Sequence, residues 1–185
     1  MTQINNSTAN NCIAIGGNGQ LNISSSNLVR IGNSSMSSIG GQVGWTTISD
    51  ERVKENFKDD VQGLAFIMKL KPVTYNYSIE KSNRIQNRKD TTDWNGKYDI
   101  EKIKFSGFRA QEVEKAAQEA GYYFSGVDKP ENGNGLWGLR YAEFVVPMIK
   151  GMQEQQDMIN TLKEQNKEQQ KMIEELQKKI TELER

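Results

Sequence analysis

The sequence predicts an α+β chain in three parts: a β-rich N-terminal segment, a mixed α/β middle and a long C-terminal helix in a coiled coil. Three observations predict it. Residues 1–48 hold no charge except Arg30, Ile-Gly recurs among them at regular spacing, and heptads run through residues 141–185. The 185 residues suffice for one ordinary domain, or a small one with appendages. Hydrophobic residues make up 35% and the mean hydropathy is −0.74, so a lone monomer would have a thin core. Much of the burial is therefore expected between chains.

Composition also excludes whole classes of function. The formal net charge is zero, which points to neither nucleic acid nor an anionic membrane as partner. With no histidine, imidazole catalysis and most zinc sites are excluded, and no metal or cofactor is expected. The single cysteine, Cys12, forms no intrachain disulfide. No apolar run approaches the roughly 18 residues of a membrane span. Met1 is followed by Thr-Gln-Ile-Asn-Asn rather than a basic and then apolar leader, so no signal peptide is expected.

Residues 1–48 are rich in Asn, Ser and Gly. Ile-Gly occurs at Ile15-Gly16, Ile31-Gly32 and Ile39-Gly40, 16 and 8 residues apart. Short strands are predicted over Cys12–Ile15, Leu28–Ile31 and Met36–Ile39, each followed by a Gly that can take positive φ. Such strands are too short for a stable isolated sheet, but three copies wound around a common axis would share a narrow core. The competing reading is a disordered Ser/Asn/Gly linker, against which the regular spacing argues.

In residues 49–140, Asp50–Phe57 reads as a short helix with Ser49 as N-cap. Val61, Leu64, Ala65 and Met68 give helical spacing to Val61–Leu70, ending before Pro72. Val73–Ile79 alternates as a half-buried strand. Residues 80–102 are polar and read as a protruding hairpin or loop. Lys104–Arg109 reads as a strand, and Ala110–Ala120 as a helix ended by Gly121. A turn at Asn132–Gly135 precedes a last short strand over Leu136–Leu139.

Residues 141–185 place Val145, Met152, Ile159, Asn166, Ile173 and Ile180 at a, with Met148, Gln155, Leu162, Gln169, Leu176 and Leu183 at d. This predicts a coiled coil. Ile at a with Leu at d favours two strands by pattern alone, whereas polar Gln155, Asn166 and Gln169 can set register and oligomer number.

The compositional break falls between Ile48 and Ser49, and Lys54 follows five residues later. The plain reading makes Ser49 a helix cap and Lys54 a solvated charge. The chemical reading makes Ser49 a nucleophile that Lys54 activates by taking its proton, the serine–lysine variant of the nucleophile–base scheme. On a regular helix residues i and i+5 lie about 140° apart, so Ser49 must sit outside the helix with the lysine stem reaching back, or the lysine must come from another chain.

The stretch Thr47-Ile48-Ser49-Asp50-Glu51-Arg52-Val53-Lys54-Glu55-Asn56 resembles the start of the intramolecular chaperone domain of the peptidase S74 type. That domain occurs at the C-termini of phage endosialidase tailspikes, neck appendages and tail fibres, and in myelin regulatory factor. Leu70-Lys71-Pro72-Val73-Thr74-Tyr75, Gly107-Phe108-Arg109-Ala110-Gln111-Glu112-Val113 and Leu139-Arg140-Tyr141-Ala142-Glu143-Phe144 match further stretches in order. The resemblance covers roughly residues 45–185. It implies a trimeric β-fibre end over 1–48, a chaperone domain over 49–140 and a trimeric coiled coil over 141–185.

It further implies self-cleavage between Ile48 and Ser49, with Ser49 attacking the Ile48 carbonyl, Lys54 taking the proton and water hydrolysing the ester. Asp50, Arg140, Tyr141 and Asn166 are candidate supports of the trimer. The implied partners are two further copies of the chain and the upstream fibre, and the implied setting is a virion fibre or spike precursor made in the host cytoplasm, or a prophage or bacterial surface fibre. The alternatives are a non-catalytic trimerisation module, a membrane-tethered transcription-factor precursor, and a receptor-binding tip using Trp94 and Tyr98.

Overall fold

A computed structural model describes residues 10–15, 26–32, 36–91, 93–130 and 135–184. Gly16 and Asn132–Asn134, part of the predicted turn, lie outside the described residues. The chain is α+β. It forms strands β1 (Ile13–Ile15) and β2 (Val29–Ile31), a 3₁₀ turn at Glu51–Val53, α1 (Leu64–Ile67), β3 (Val73–Tyr75), α2 (Ile79–Ile85) and α3 (Asp99–Lys102). β4 (Phe105–Gly107), α4 (Ala110–Glu119), β5 (Val127–Asp128), β6 (Gly138–Leu139), a second 3₁₀ turn at Tyr141–Phe144 and α5 (Val145–Leu183) follow. Two compact units result: residues 1–57, 71–111 and 127–138, and residues 58–70, 112–126 and 139–185.

In the first unit, β1 and β2 pair in parallel with Ile13 opposite Val29 and Ile15 opposite Ile31. The 16-residue spacing of Ile-Gly is thus the register of the pair. Asn11 and Asn27, both at positive φ, sit at equivalent points before the strands, and the Asn11 amide donates to Asn27 Oδ1 at 2.9 Å. Asparagine tolerates that backbone conformation better than most residues with a side chain. Met36–Ile39, expected to be a third strand, forms no strand. Gly32 turns the chain at φ +79°, and the Met36 side chain lies where a Cβ on Gly32 would stand.

β3 and β4 are antiparallel, with Tyr75 opposite Phe105. Tyr75, Tyr77 and Phe105 form a ring cluster with centroids 5.1–5.9 Å apart. The strand predicted over Val73–Ile79 stops at Tyr75 because Ser78 caps α2, its hydroxyl accepting from Lys81 N at 3.3 Å. Glu101 also accepts from Ile79 N at 2.7 Å. The predicted polar loop 80–102 therefore contains most of α2 and all of α3. Ile79 and Ile100 are buried, so the segment contributes to the core despite its polar composition.

The second unit is built on aromatic rings. Phe66 is fully buried against Tyr122, Phe124 and Phe144, with ring centroids 4.9–6.4 Å away. Each such pair adds about 0.5–1.5 kcal/mol beyond its buried area. The helix predicted over Val61–Leu70 shortens to α1, whose start is set by a close approach. A Cβ on Gly63 would lie 2.6 Å from Gly151 N, and Glu154 Oε2 accepts from Leu64 N at 2.7 Å. α4 buries Val113, Ala116 and Ala117 and ends as expected at Gly121, whose φ is +64°. Pro147 falls in the first turn of α5, where proline is tolerated.

α5 runs unbroken for 39 residues. Near its start Pro147 and Gly151 are buried within this unit. The a and d residues Val145, Met148, Met152, Ile159, Leu162, Ile173, Leu176 and Ile180 are exposed. Intrachain packing therefore occupies one face of the helix and leaves the heptad stripe open. Among the described residues no helix is long and apolar enough to cross a membrane.

Candidate functional site

The helix predicted over Asp50–Phe57 is a single 3₁₀ turn, and its cap is Asp50 rather than Ser49. The Asp50 carboxylate accepts from Arg52 N at 2.9 Å, closing the turn one residue later than predicted. Lys54 closes the other end through its own N–H to Glu51 O at 3.0 Å, and its backbone is already extended. Asn56 at φ +58° follows, so the turn does not propagate.

This short turn brings Ser49 and Lys54 together. Lys54 Nζ donates to Ser49 Oγ at 2.7 Å. A regular helix would have separated them, whereas an extended residue on each side of one 3₁₀ turn lets the lysine stem fold back. The Arg52 guanidinium and then its backbone amide hold the Asp50 carboxyl below the ordinary carboxylate range. The same side-chain bond raises Arg52. Asp50 is thus committed to Arg52, a partner the sequence reading missed although the two residues lie two apart.

The peptide link from Ile48 to Ser49 sits in an exposed stretch outside any helix or strand, and Ile48 itself is 83% exposed. Trp45 and Val53 are exposed on either side. Arg140, in the second unit, donates from Nη1 to Ser125 O at 2.7 Å and from its backbone to Gly126 O at 2.8 Å. Tyr141 stacks on Phe144 at 5.8 Å. Asn166 lies exposed on α5. Trp94 and Tyr98 flank Lys97, which is buried and bonded to Asp90, so both rings serve a local cluster.

Residues 49–122 match the family model described as Peptidase S74, chaperone of endosialidase. Over those residues the chain is similar to the S74-type intramolecular chaperone domain. The match begins at Ser49, where the composition changes, and it spans β3, β4 and α4, which carry two of the ordered motifs. That similarity supports a chaperone role. The Leu139–Phe144 motif and α5 lie beyond the matched residues. No curated protein and no solved structure matches the chain.

Proposed function

We propose that the S74-type domain and α5 trimerise, guide the preceding β-rich segment into a phage-type tail fibre or spike, and then separate from it by self-cleavage between Ile48 and Ser49. The observation that carries this reading is the 2.7 Å contact between Lys54 Nζ and Ser49 Oγ beside an exposed peptide link. With the amine uncharged, the same contact lets Lys54 accept the serine proton. Ser49 Oγ then bonds to the Ile48 carbonyl carbon, and the bond from that carbon to Ser49 N breaks. Lys54 returns its proton to the departing nitrogen. Water hydrolyses the resulting ester, leaving an Ile48 carboxylate and a free Ser49 amine.

Assembly supplies what an exposed pair lacks. In this reading the cut waits for the trimer, whose assembly shields the pair from bulk water. The open heptad stripe of α5 supports association, with Asn166 as a register-setting layer. Arg140 and Tyr141 support the trimer by fixing where α5 begins, and Asp50 by holding the turn. A helical nucleator raises the effective concentration of strands that meet poorly by themselves. Its removal leaves a fibre held by its unfolding barrier, in a virion or on a bacterial surface.

Intact-mass analysis of freshly made protein tests the reading. Wild type should yield a C-terminal fragment beginning at Ser49, and Ser49→Ala a full-length chain in an unchanged oligomer. Full-length wild type in an assembled trimer would instead favour the non-catalytic trimerisation module.

A further inference from the structure

Arg30, the sole charged residue of 1–48, is ion-paired. Its Nη2 lies 3.7 Å from Asp128 Oδ2. A few residues on, Met36–Ile39 lines an apolar cleft of about 700 Å³ that is also lined by Tyr77, Ile79, Phe105 and Trp137. All these groups belong to the first compact unit. The ion pair links the segment before the proposed cut to the part after it, and both parts line the cleft, without involving the 48–49 peptide bond.

We infer that Asp128 and this cleft form a client-holding surface of the chaperone domain, which grips Arg30 and Met36–Ile39 of the fibre end after the covalent link is severed. The inference rests on the proposed cleavage only for its timing, since the contacts exist in the intact chain. Backbone scission then does not by itself release the chaperone. Release is a second step, governed by how fast an ion pair and an apolar contact come apart. The segment is otherwise uncharged, so Arg30 is its one means of reading a carboxylate, and the pair fixes where along the fibre the grip falls. With both partners about half exposed, each pair contributes little, but three copies gripping one fibre multiply the effect.

The test uses the full chain with Ser49→Ala and a site for a sequence-specific protease inserted after Gly41. Nicking there separates the segment from the domain whether or not the chain cuts itself. Retention of the N-terminal fragment on the C-terminal one is followed by size exclusion at rising salt. The fragments should stay together at low salt and separate more readily as salt screens the pair. Arg30→Gln and Asp128→Asn should each speed dissociation roughly 2- to 5-fold per copy. The swap Arg30→Asp with Asp128→Arg should restore the slow rate, which a folding defect would not. Ile39→Ser should also speed dissociation while leaving its salt dependence in place. Equal rates for the wild type and both neutral variants, or a swap no slower than the single variants, would overturn the inference. Failure of self-cleavage would leave these rates untouched and would overturn only the proposed function.

Discussion

Phe66 is 0% exposed among three aromatic rings, whereas Ile48 is 83% exposed on a link outside any helix or strand. The second unit uses its large side chains to hold itself together. The boundary segment leaves its own in solvent and arranges only small polar contacts, Ser49 with Lys54 and Asp50 with Arg52. The difference teaches that, under the proposed cleavage, stability and chemistry are carried by separate residues. Substitutions at the boundary should change the cut and spare the fold, and substitutions around Phe66 should do the reverse.

The largest expected effect breaks the chemistry alone. Ser49→Ala should reduce self-cleavage below detection on a denaturing gel while the thermal midpoint stays at the wild-type value. Lys54→Ala should slow cleavage roughly 10²- to 10⁴-fold. Lys54→Arg should be as slow, because a guanidinium stays charged and cannot accept the proton. Rapid cutting by Lys54→Arg would remove Lys54 from the role of base. Phe66→Ala works from the other side and should cost about 3–5 kcal/mol in denaturant unfolding. Gly63→Ala, which drives a methyl against the Gly151 backbone, should cost about 1–3 kcal/mol in the same measurement.

The smallest effect sharpens the comparison at the boundary. The folded Asp50 carboxyl titrates below its ordinary value of 3.8. Its contribution to the turn is therefore fully present above about pH 4 and lost as pH falls through the lower folded value. The Arg52 amide resonance should report a midpoint below that of an unfolded aspartate, moving upward with added salt because the pair is exposed. A midpoint at the ordinary value would mean the turn is not held by Asp50.

How far the sequence was legible depended on the range of the interaction. The heptads of α5, the end of α4 at Gly121 and the short strands β1 and β2 were readable because each is written in neighbouring residues. The 16-residue spacing even carried the register of the parallel pair. The 80–102 segment misled because its composition is polar, yet it follows directly on the buried Ile79 and carries Ile100 into the core. Ser49 was assigned the cap that Asp50 takes, since both residue types suit it and only the turn geometry chooses between them.

The sequence by itself determined an α+β chain, a compositional break at Ile48-Ser49, a serine and a lysine five apart and a helix with an apolar stripe. The tertiary structure decided that the helix after Ser49 would stop after one turn, which is what lets the lysine reach back. It also decided that Gly63 would meet Gly151 and that Arg30 would meet Asp128. Those contacts join residues nearly a hundred positions apart, and no local propensity encodes them. They exist only because burial of rings such as Phe66, Tyr75 and Phe105 brings distant backbone into place.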